Sequence, residues 1–567
     1  MDEKGHSERE GFSAGVKVMA GLTLLSRIFG MVRAMAITSL GAKAAVDAFV
    51  MAWRIPNLFR RLFGEGALSA AFVPVFTETA ERQGEPAAAR LFANTFGLMA
   101  AGLTGVLVVI EAGLLVWHLV SPGDENRQLL LGLLAVMMPF MLTVCLLALG
   151  SAALNCRKHF AFPAAAPVLL NVFVIAAAWF VSPAVAGSLP GRLYVVGVSV
   201  TAAGVVQFLL LLRLLRRLGL PTRPRLRPIE PGIRDMLRRM APMIVGLGFL
   251  QIAELGESLV AWVFRATETA STIRLLGREL SLPLDAGVLV RLDAARYLYQ
   301  LPLGVLAMSL GVAVFPLLSR YAARGDLPNL RDAFNRAVRL ALMEGLATGV
   351  ALLVLANPIT KLIYRHGAFT AADAANAAEI LRMYALGMWA YCVYPTVVRV
   401  FYAMGDNTTP LKTACVLAVP HLLMVGLGVW LPGVWLWVPK VRVCLPAPEV
   451  WVQWQAVWVP VGARAFGLAT AATFSIDVLV LAWLLRRKVG RFGGRKVAKS
   501  VGRTLLACAA MAGVCLGGRW LLAGRANWIV VAVCVPAGAA AFFAVAALLR
   551  APELGELFRR AKKETLG

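Results

Sequence analysis

Acidic residues are scarce in this 567-residue chain: 31 Asp and Glu stand against 57 Lys and Arg, a formal net charge of +26. Charged residues of both signs make up only 16% of it, against roughly 25% in a soluble globular protein, which excludes an ordinary water-soluble enzyme. The five histidines, His6, His118, His159, His366 and His421, are scattered, so neither a metal site nor a Ser/His/Asp triad is supported. The eight cysteines show no CxxC or metal-type spacing. Most, including Cys145, Cys415, Cys508, Cys515 and Cys534, lie alone in apolar stretches and read as small lipid-facing or packing residues. No GxxxxGK[ST] loop occurs, which excludes a P-loop ATPase. The first twelve residues are polar, and the apolar segment after them carries arginines and no small-residue cleavage pattern. The first helix is therefore expected to be retained, not cleaved as a signal peptide.

What the chain has in abundance is apolar length: 59% of its residues are hydrophobic, in runs of about 20, the length that spans a bilayer as a helix. Fourteen such segments fall near residues 14–40, 45–76, 90–120, 129–155, 160–183, 191–217, 236–264, 286–320, 332–356, 374–404, 410–432, 460–486, 501–522 and 527–549. The second and eighth are too polar for hydropathy alone to identify. The expected fold class is an all-α integral membrane protein. The basic residues sit between the apolar runs, so they report topology and not a nucleic-acid partner. Arg213, Arg216, Arg217, Arg223, Arg225, Arg227, Arg234, Arg238 and Arg239 follow the sixth segment. Arg486, Arg487, Lys488, Arg491, Arg495, Lys496, Lys499 and Arg503 follow the twelfth, whereas the loops after the third and fifth offer mainly Arg127 and Arg192. By the positive-inside rule, the even-numbered loops and both termini face the cytoplasm.

Two local patterns recur at nearly one offset. Phe72-Val73-Pro74, with Arg82, Gly84 and Glu85 after it, is echoed by Val314-Phe315-Pro316 with Arg324, Gly325 and Asp326, and Asn155 and Pro163 are echoed by Tyr402 and Pro410. The separations, about 242 and about 247 residues, imply two six-helix halves plus two added helices, the internal-repeat architecture of a transporter. The expected organisation is a cytoplasmic tail over 1–13, a first lobe over 14–217, a basic linker over 218–240, a second lobe over 241–486, two further helices over 487–549 and a cytoplasmic tail over 550–567.

Charges within a span cost about 2.5 to 3.5 kcal/mol each on insertion scales and normally face a bundle interior or a wet cavity. In the first segment Arg27, Gly30 and Arg33 are spaced i, i+3, i+6, which fans two guanidiniums across about 120° with open space between them. In the second, Asn57, Arg60, Arg61 and Glu65 fall close to one face, with Asp47 and Arg54 ahead of a kink at Pro56. Arginine binds phosphate bidentately and stays charged, so this polar wall implies an anionic, phosphorylated substrate. The plainer reading of Arg60 and Arg61 is snorkelling to an interface. Glu254 and Glu257 of the seventh segment are candidates for ion coupling, with solvation at a helix end the alternative for Glu257, and Glu344 and Asp477 are candidates for local helix pairing.

The run Ser26-Arg27-Ile28-Phe29-Gly30-Met31-Val32-Arg33, then Asp47-Ala48-Phe49, then Ile55-Pro56-Asn57-Leu58-Phe59-Arg60-Arg61-Leu62-Phe63-Gly64-Glu65-Gly66-Ala67 and Ala71-Phe72-Val73-Pro74, resembles the MurJ (MviN) lipid II flippase family. The likeness continues through Asn155, Phe160, Pro163, Pro167 and Asn171, then Pro242 and Gln251, then Gln300-Leu301-Pro302-Leu303-Gly304. It resumes at Gly367-Ala368-Phe369-Thr370 with Asp373, and at Phe401-Tyr402-Ala403 with Asp406, Thr409, Pro410 and Lys412, covering most of residues 14–486. The resemblance implies the MOP exporter fold: fourteen helices in two pseudo-related lobes around a cationic cavity that opens to each side in turn. It implies lipid II, undecaprenyl-diphosphate carrying the disaccharide-peptide wall precursor, as substrate in the bacterial cytoplasmic membrane, with membrane lipids and cell-wall synthesis or division proteins as partners. By position, Arg27, Arg33 and Arg60 match the family's cavity arginines, and Ser26, Asp47 and Glu65 match polar positions around them. No cofactor is expected; the driving force is an ion gradient, the membrane potential or the substrate gradient.

Three departures stand out. Ala34 replaces the family's usual aspartate after the second arginine. In the eighth segment Ala295-Arg296-Tyr297-Leu298 replaces a pattern close to A-[DN]-R-L, which displaces the arginine by one residue, about 100° around a helix. Insertions near 266–292 and 434–461 occupy loops predicted to be extracytoplasmic. The second carries Trp435, Trp437, Trp451, Trp454 and Trp458 and reads as an interface anchor or partner surface. The competing functions are a flippase for another polyprenyl-diphosphate saccharide, a cation-coupled drug exporter, which needs acidic and not basic cavity residues, a scaffold for wall enzymes, and an integral-membrane enzyme on the same lipid.

Overall fold

A computed structural model describes residues 21–64, 67–120, 124–228, 230–268, 270–275, 278–305, 307–431, 434–443, 450–459 and 461–555. Backbone groups in hydrocarbon must be satisfied within the protein, and apolar runs of this length do so as helices. The chain divides into two compact units, Met1–Trp262 with His366–Thr370, and Val263–Arg365 with Ala371–Gly567.

The first unit contains α1 (Gly21–Thr38), α2 (Ala44–Phe59), a π-helical turn (Arg60–Gly64), α3 (Ala67–Gln83), α4 (Glu85–Val120), α5 (Glu125–Met137) and α6 (Pro139–Cys156). After these come α7 (Ala161–Ala176), a second π-helical turn (Ala177–Val181), α8 (Ser182–Val185), α9 (Leu189–Arg217) and α10 (Pro231–Val263). Its core is a ladder of phenylalanines. Phe72 of α3 lies 5.2 Å from Phe76 and 6.3 Å from Phe92 of α4, Phe92 lies 5.8 Å from Phe96, and Phe96 stacks at 6.2 Å on Phe208 of α9. The linker backbone is pinned beneath it: fully buried Asn94 donates to the Arg225 carbonyl at 3.0 Å and accepts from the Glu230 N–H at 2.9 Å.

The second unit contains α11 (Val288–Val305), α12 (Ala307–Ala323), α13 (Leu327–Tyr364), α14 (Ala371–Ala385), α15 (Met388–Ala403), α16 (Thr408–Trp430), α17 (Arg464–Val489), α18 (Gly494–Leu521) and α19 (Asn527–Leu548). Both insertions form antiparallel hairpins, β1 (Thr272–Leu275) with β2 (Arg278–Ser281), and β3 (Val434–Val443) with β4 (Val450–Val459), in a register that sets Trp435 opposite Trp458. Valine and tryptophan suit strands better than helices, and the segment between the hairpin's arms holds prolines. Cys508, Cys515 and Cys534 are buried where α18 and α19 pack with α13, the second of the two roles, lipid-facing or packing, that the sequence left open.

Among the described residues, ten helical segments are long and apolar enough to cross a membrane: α1, α4, α5–α6, α7–α8, α9, α13, α16, α17, α18 and α19. The segment α2–α3 is interrupted by Pro56 and the π-helical turn. α10, assigned from the sequence to the second lobe, falls in the first unit, where its polar stripe meets α2.

The turn between α15 and α16 is tied to the end of α17. Asp406 accepts from the Thr409 N–H at 3.0 Å, from the Thr409 hydroxyl at 2.6 Å, from the Thr408 hydroxyl at 3.1 Å, and from Lys488. Burial draws its pKa upward, but these donors outweigh burial and hold the carboxyl well below the ordinary range. A depressed carboxylate stabilises the fold above its unfolded pKa, near 3.9, and loses that contribution as pH falls below it. Asp406→Asn should therefore lower thermal stability by about 1 kcal/mol at pH 7, half-exposed Lys488 limiting the charge contribution. The gap from wild type should narrow below about pH 4 in melting curves of the purified protein; a gap independent of pH would contradict the assignment.

Candidate functional site

The residues singled out on α1 are held from three directions. The Arg33 guanidinium lies over the Trp53 ring of α2, 5.2 Å from its centroid, and Trp53 stacks at 6.0 Å and 20° on Phe140 of α6. Such a cation–π contact contributes about 0.5–1 kcal/mol at a partly exposed site, so Arg33 is half-buried and aimed while Arg27 is exposed. The Ser26 carbonyl accepts from Asn171 of α7 at 3.3 Å, and the same Asn171 amide is 3.9 Å from where a Gly30 Cβ would be. A Cβ at position 30 would therefore be in van der Waals contact with Asn171. At the end of α1, the Ser39 carbonyl accepts from the Ala368 N–H at 2.8 Å. Gly367 is in the left-handed region (φ +60°), and a Cβ there would come within 2.5 Å of the Ser39 carbonyl oxygen, which explains the glycine of the Gly367-Ala368-Phe369-Thr370 motif.

On α2, Asp47 is fully buried, and Pro56 interrupts the hydrogen-bond ladder. The helix then widens at Arg60–Gly64, where the Arg60 N–H reaches the carbonyls of both Asn57 and Pro56. The Arg60 side chain folds back along its own helix, donating Nε to Asn57 Oδ1 at 2.8 Å. Arg54 and Arg61 turn instead toward α10: Arg54 donates to the Ser258 hydroxyl, and Arg61 to the Glu254 carboxylate and, at 3.4 Å, to Gln251 Oε1. These side chains line a cleft of about 30 Å³. The Arg61 and Glu254 side chains are 33% and 42% exposed, so their ion pair contributes at most about 1 kcal/mol. Glu257, by contrast, is only 6% exposed. Glu65 lies outside the described residues.

A family model described as lipid II flippase MurJ matches residues 36–445. The chain belongs to the MurJ lipid II flippase family. It is 32% identical to a probable lipid II flippase MurJ of Rhizobium tropici over 72% of this chain and 74% of that one, and 30% identical to the lipid II flippase MurJ of Burkholderia cenocepacia over 71% and 76%. Among solved structures, lipid II flippase MurJ in an inward closed conformation superposes with a TM-score of 0.69, covering 94% of this chain and 98% of that one at 20% identity. An inward-facing MATE multidrug transporter of the MOP superfamily superposes at 0.62, covering 84% and 98% at 13% identity. The fold is that of the MOP superfamily, as the resemblance implied.

Of the MurJ-type residues, the first unit brings Arg54, Asn57 and Arg61 to one cleft and sets Arg33 and Arg60 on α1 and the end of α2. Arg296 falls in the second unit. Its side chain is 11% exposed, donating Nε to the Tyr384 hydroxyl at 3.2 Å with Asp293 at 3.8 Å, so the displaced arginine of this MurJ relative is neutralised within α11 and α14. Asp477 is buried in α17 beside Thr413 of α16. Sequence reasoning missed Trp53, whose signal was its place beside Arg54 in a polar span. It also missed Arg399, two residues before the Phe401-Tyr402-Ala403 motif. Arg399 Nη1 is buried without a hydrogen-bond partner among the described residues, in space that a Gly311 Cβ would fill.

Proposed function

We propose that this chain moves lipid II from the inner to the outer leaflet of the bacterial cytoplasmic membrane by alternating access, acting in peptidoglycan synthesis by transport and not by covalent chemistry. Membership of the MurJ family, with the arginine-bearing signature of α1 and α2 intact, carries the reading. Arg27, Arg33 and Arg60 grip the diphosphate; Ser26, Asp47, Asn57, Glu65, Arg54 and Arg61 shape the site around them; Arg296 has a local structural role. In this reading the chain crosses the membrane fourteen times, and the positive-inside rule assigns both termini and the basic loop after α9 to the cytoplasm. No cofactor is required. An inside-negative potential favours outward movement of uncompensated anionic charge by about 2.3 kcal/mol per charge per 100 mV, and arginines that travelled with the diphosphate would cancel much of that.

The test is lipid II externalisation in bacteria depleted of their own flippase and expressing this chain at verified membrane levels. Restored externalisation supports the reading; wild type that inserts normally yet leaves lipid II inside points to another glycolipid or a scaffold. In the same assay Trp53→Ala should reduce externalisation several-fold by releasing Arg33, a loss in line with about 0.5–1 kcal/mol of cation–π energy and its aim. Trp53→Phe should retain most activity. Equal behaviour of the two would show that the ring's face is not what positions Arg33.

A further inference from the structure

Two stripes of equal spacing face each other across the cleft: Arg54, Asn57 and Leu58 on α2 with Arg61 on the π-helical turn after it, and Gln251, Glu254, Leu255 and Ser258 on α10. Both follow i, i+3, i+4, i+7, the pattern of one helix face. Arg54 meets Ser258 while Arg61 meets Glu254 and Gln251, so the stripes run in opposite directions. The cleft is partly open, and its free volume of about 30 Å³ takes water; while the Glu254 carboxylate sits on Arg61 Nη1, a diphosphate must compete with it for that nitrogen.

We propose that Glu254 is a stand-in for the substrate: its carboxylate occupies the Arg61 guanidinium when no diphosphate is present and is displaced when one arrives, so that α10 acts as a latch on α2. The inference rests on the diphosphate reading of the α1–α2 site and adds a residue that sets affinity and opening. A carboxylate and a phosphate oxygen present the same acceptor geometry to the guanidinium fork, and a diphosphate brings more charge than one carboxylate. The pair is partly exposed on both sides, at 33% and 42%, and is therefore weak enough to exchange. Gln251 remains on Arg61 to orient it when Glu254 leaves. Buried Asp47 and Glu257 lack the exposure needed for such exchange.

The test uses the full-length protein in lipid nanodiscs with undecaprenyl diphosphate as probe. Glu254→Gln should bind it at least threefold more tightly than wild type, Arg61→Gln more weakly, and Glu254→Gln should add nothing on the Arg61→Gln background. Unchanged or weaker binding by Glu254→Gln with an unaltered melting temperature overturns the proposal. A second readout is the rate at which a charged thiol reagent modifies Leu255→Cys in an otherwise cysteine-free chain. Glu254→Gln, or inorganic pyrophosphate added to the Glu254 protein, should speed modification several-fold. Should no variant bind the lipid probe, the diphosphate reading falls and the labelling rates alone decide the latch: faster rates in Glu254→Gln support it, and equal rates overturn it.

Discussion

Arg33→Glu is expected to abolish lipid II externalisation, a fall of at least about 100-fold at wild-type membrane levels. Truncating one partner of a close charge pair costs about 2–5 kcal/mol, and reversing its sign adds repulsion to that loss. The substitution also puts a carboxylate on the face of Trp53, where the ring's negative quadrupole repels it, in place of a guanidinium 5.2 Å from the centroid. Arg33→Lys keeps the charge without the planar fork and should retain part of the activity. Arg27→Glu should behave like Arg33→Glu, because Arg27 stands on the same helix, exposed. Arg296→Gln should change transport little, its guanidinium being committed to Tyr384 and Asp293. Wild-type externalisation by normally inserted Arg33→Glu would sink the clamp.

These outcomes differ because neighbouring residues in the sequence acquire different surroundings in the fold. The arginines of α1 and α2 could be singled out as candidates, because a charge in an apolar run is costly wherever it occurs. The partners of Arg54 and Arg61 were not legible. Gln251, Glu254 and Ser258 lie about 190 to 204 residues away, and no local period links a polar stripe on one helix to its complement on another. Glu254 could be read only as a lone acid with several uses. The displaced arginine shows the converse, since the one-residue shift was visible while its consequence depended on Tyr384 arriving from α14. The hairpins went unseen for a third reason: in a chain dominated by helical spans, tryptophans read first as interface anchors, although the alternation from Val450 to Val459 is also that of a strand.

Glu553→Ala is expected to destabilise the second unit more than any surface substitution. The sequence places residues 550–567 in a polar cytoplasmic tail, yet Glu553 is 2% exposed and Leu554 joins the apolar cluster of α13, α18 and α19. One oxygen of Glu553 accepts from Arg339 Nη1 of α13 and from the Ser500 hydroxyl of α18, each at 2.8 Å. The Arg339 side chain is 13% exposed, so removing the carboxylate leaves a cation out of water with nothing to balance it, at a cost of about 3–5 kcal/mol. Glu553→Gln preserves an acceptor and loses only the charge, so it should cost less, about 1–2 kcal/mol. Replacing the pair together, Arg339→Met with Glu553→Leu, should recover much of the stability, because two apolar groups of similar volume strand no charge. Melting curves of purified protein separate these cases: a drop of roughly 5–10 °C for Glu553→Ala, a smaller one for Glu553→Gln and near recovery in the double variant. Equal drops for all three would mean that packing at this position, and not charge, fixes the end of the chain against α13 and α18. Externalisation should fall in each variant only as far as its membrane level falls, since the pair belongs to the second unit and the α1–α2 residues to the first.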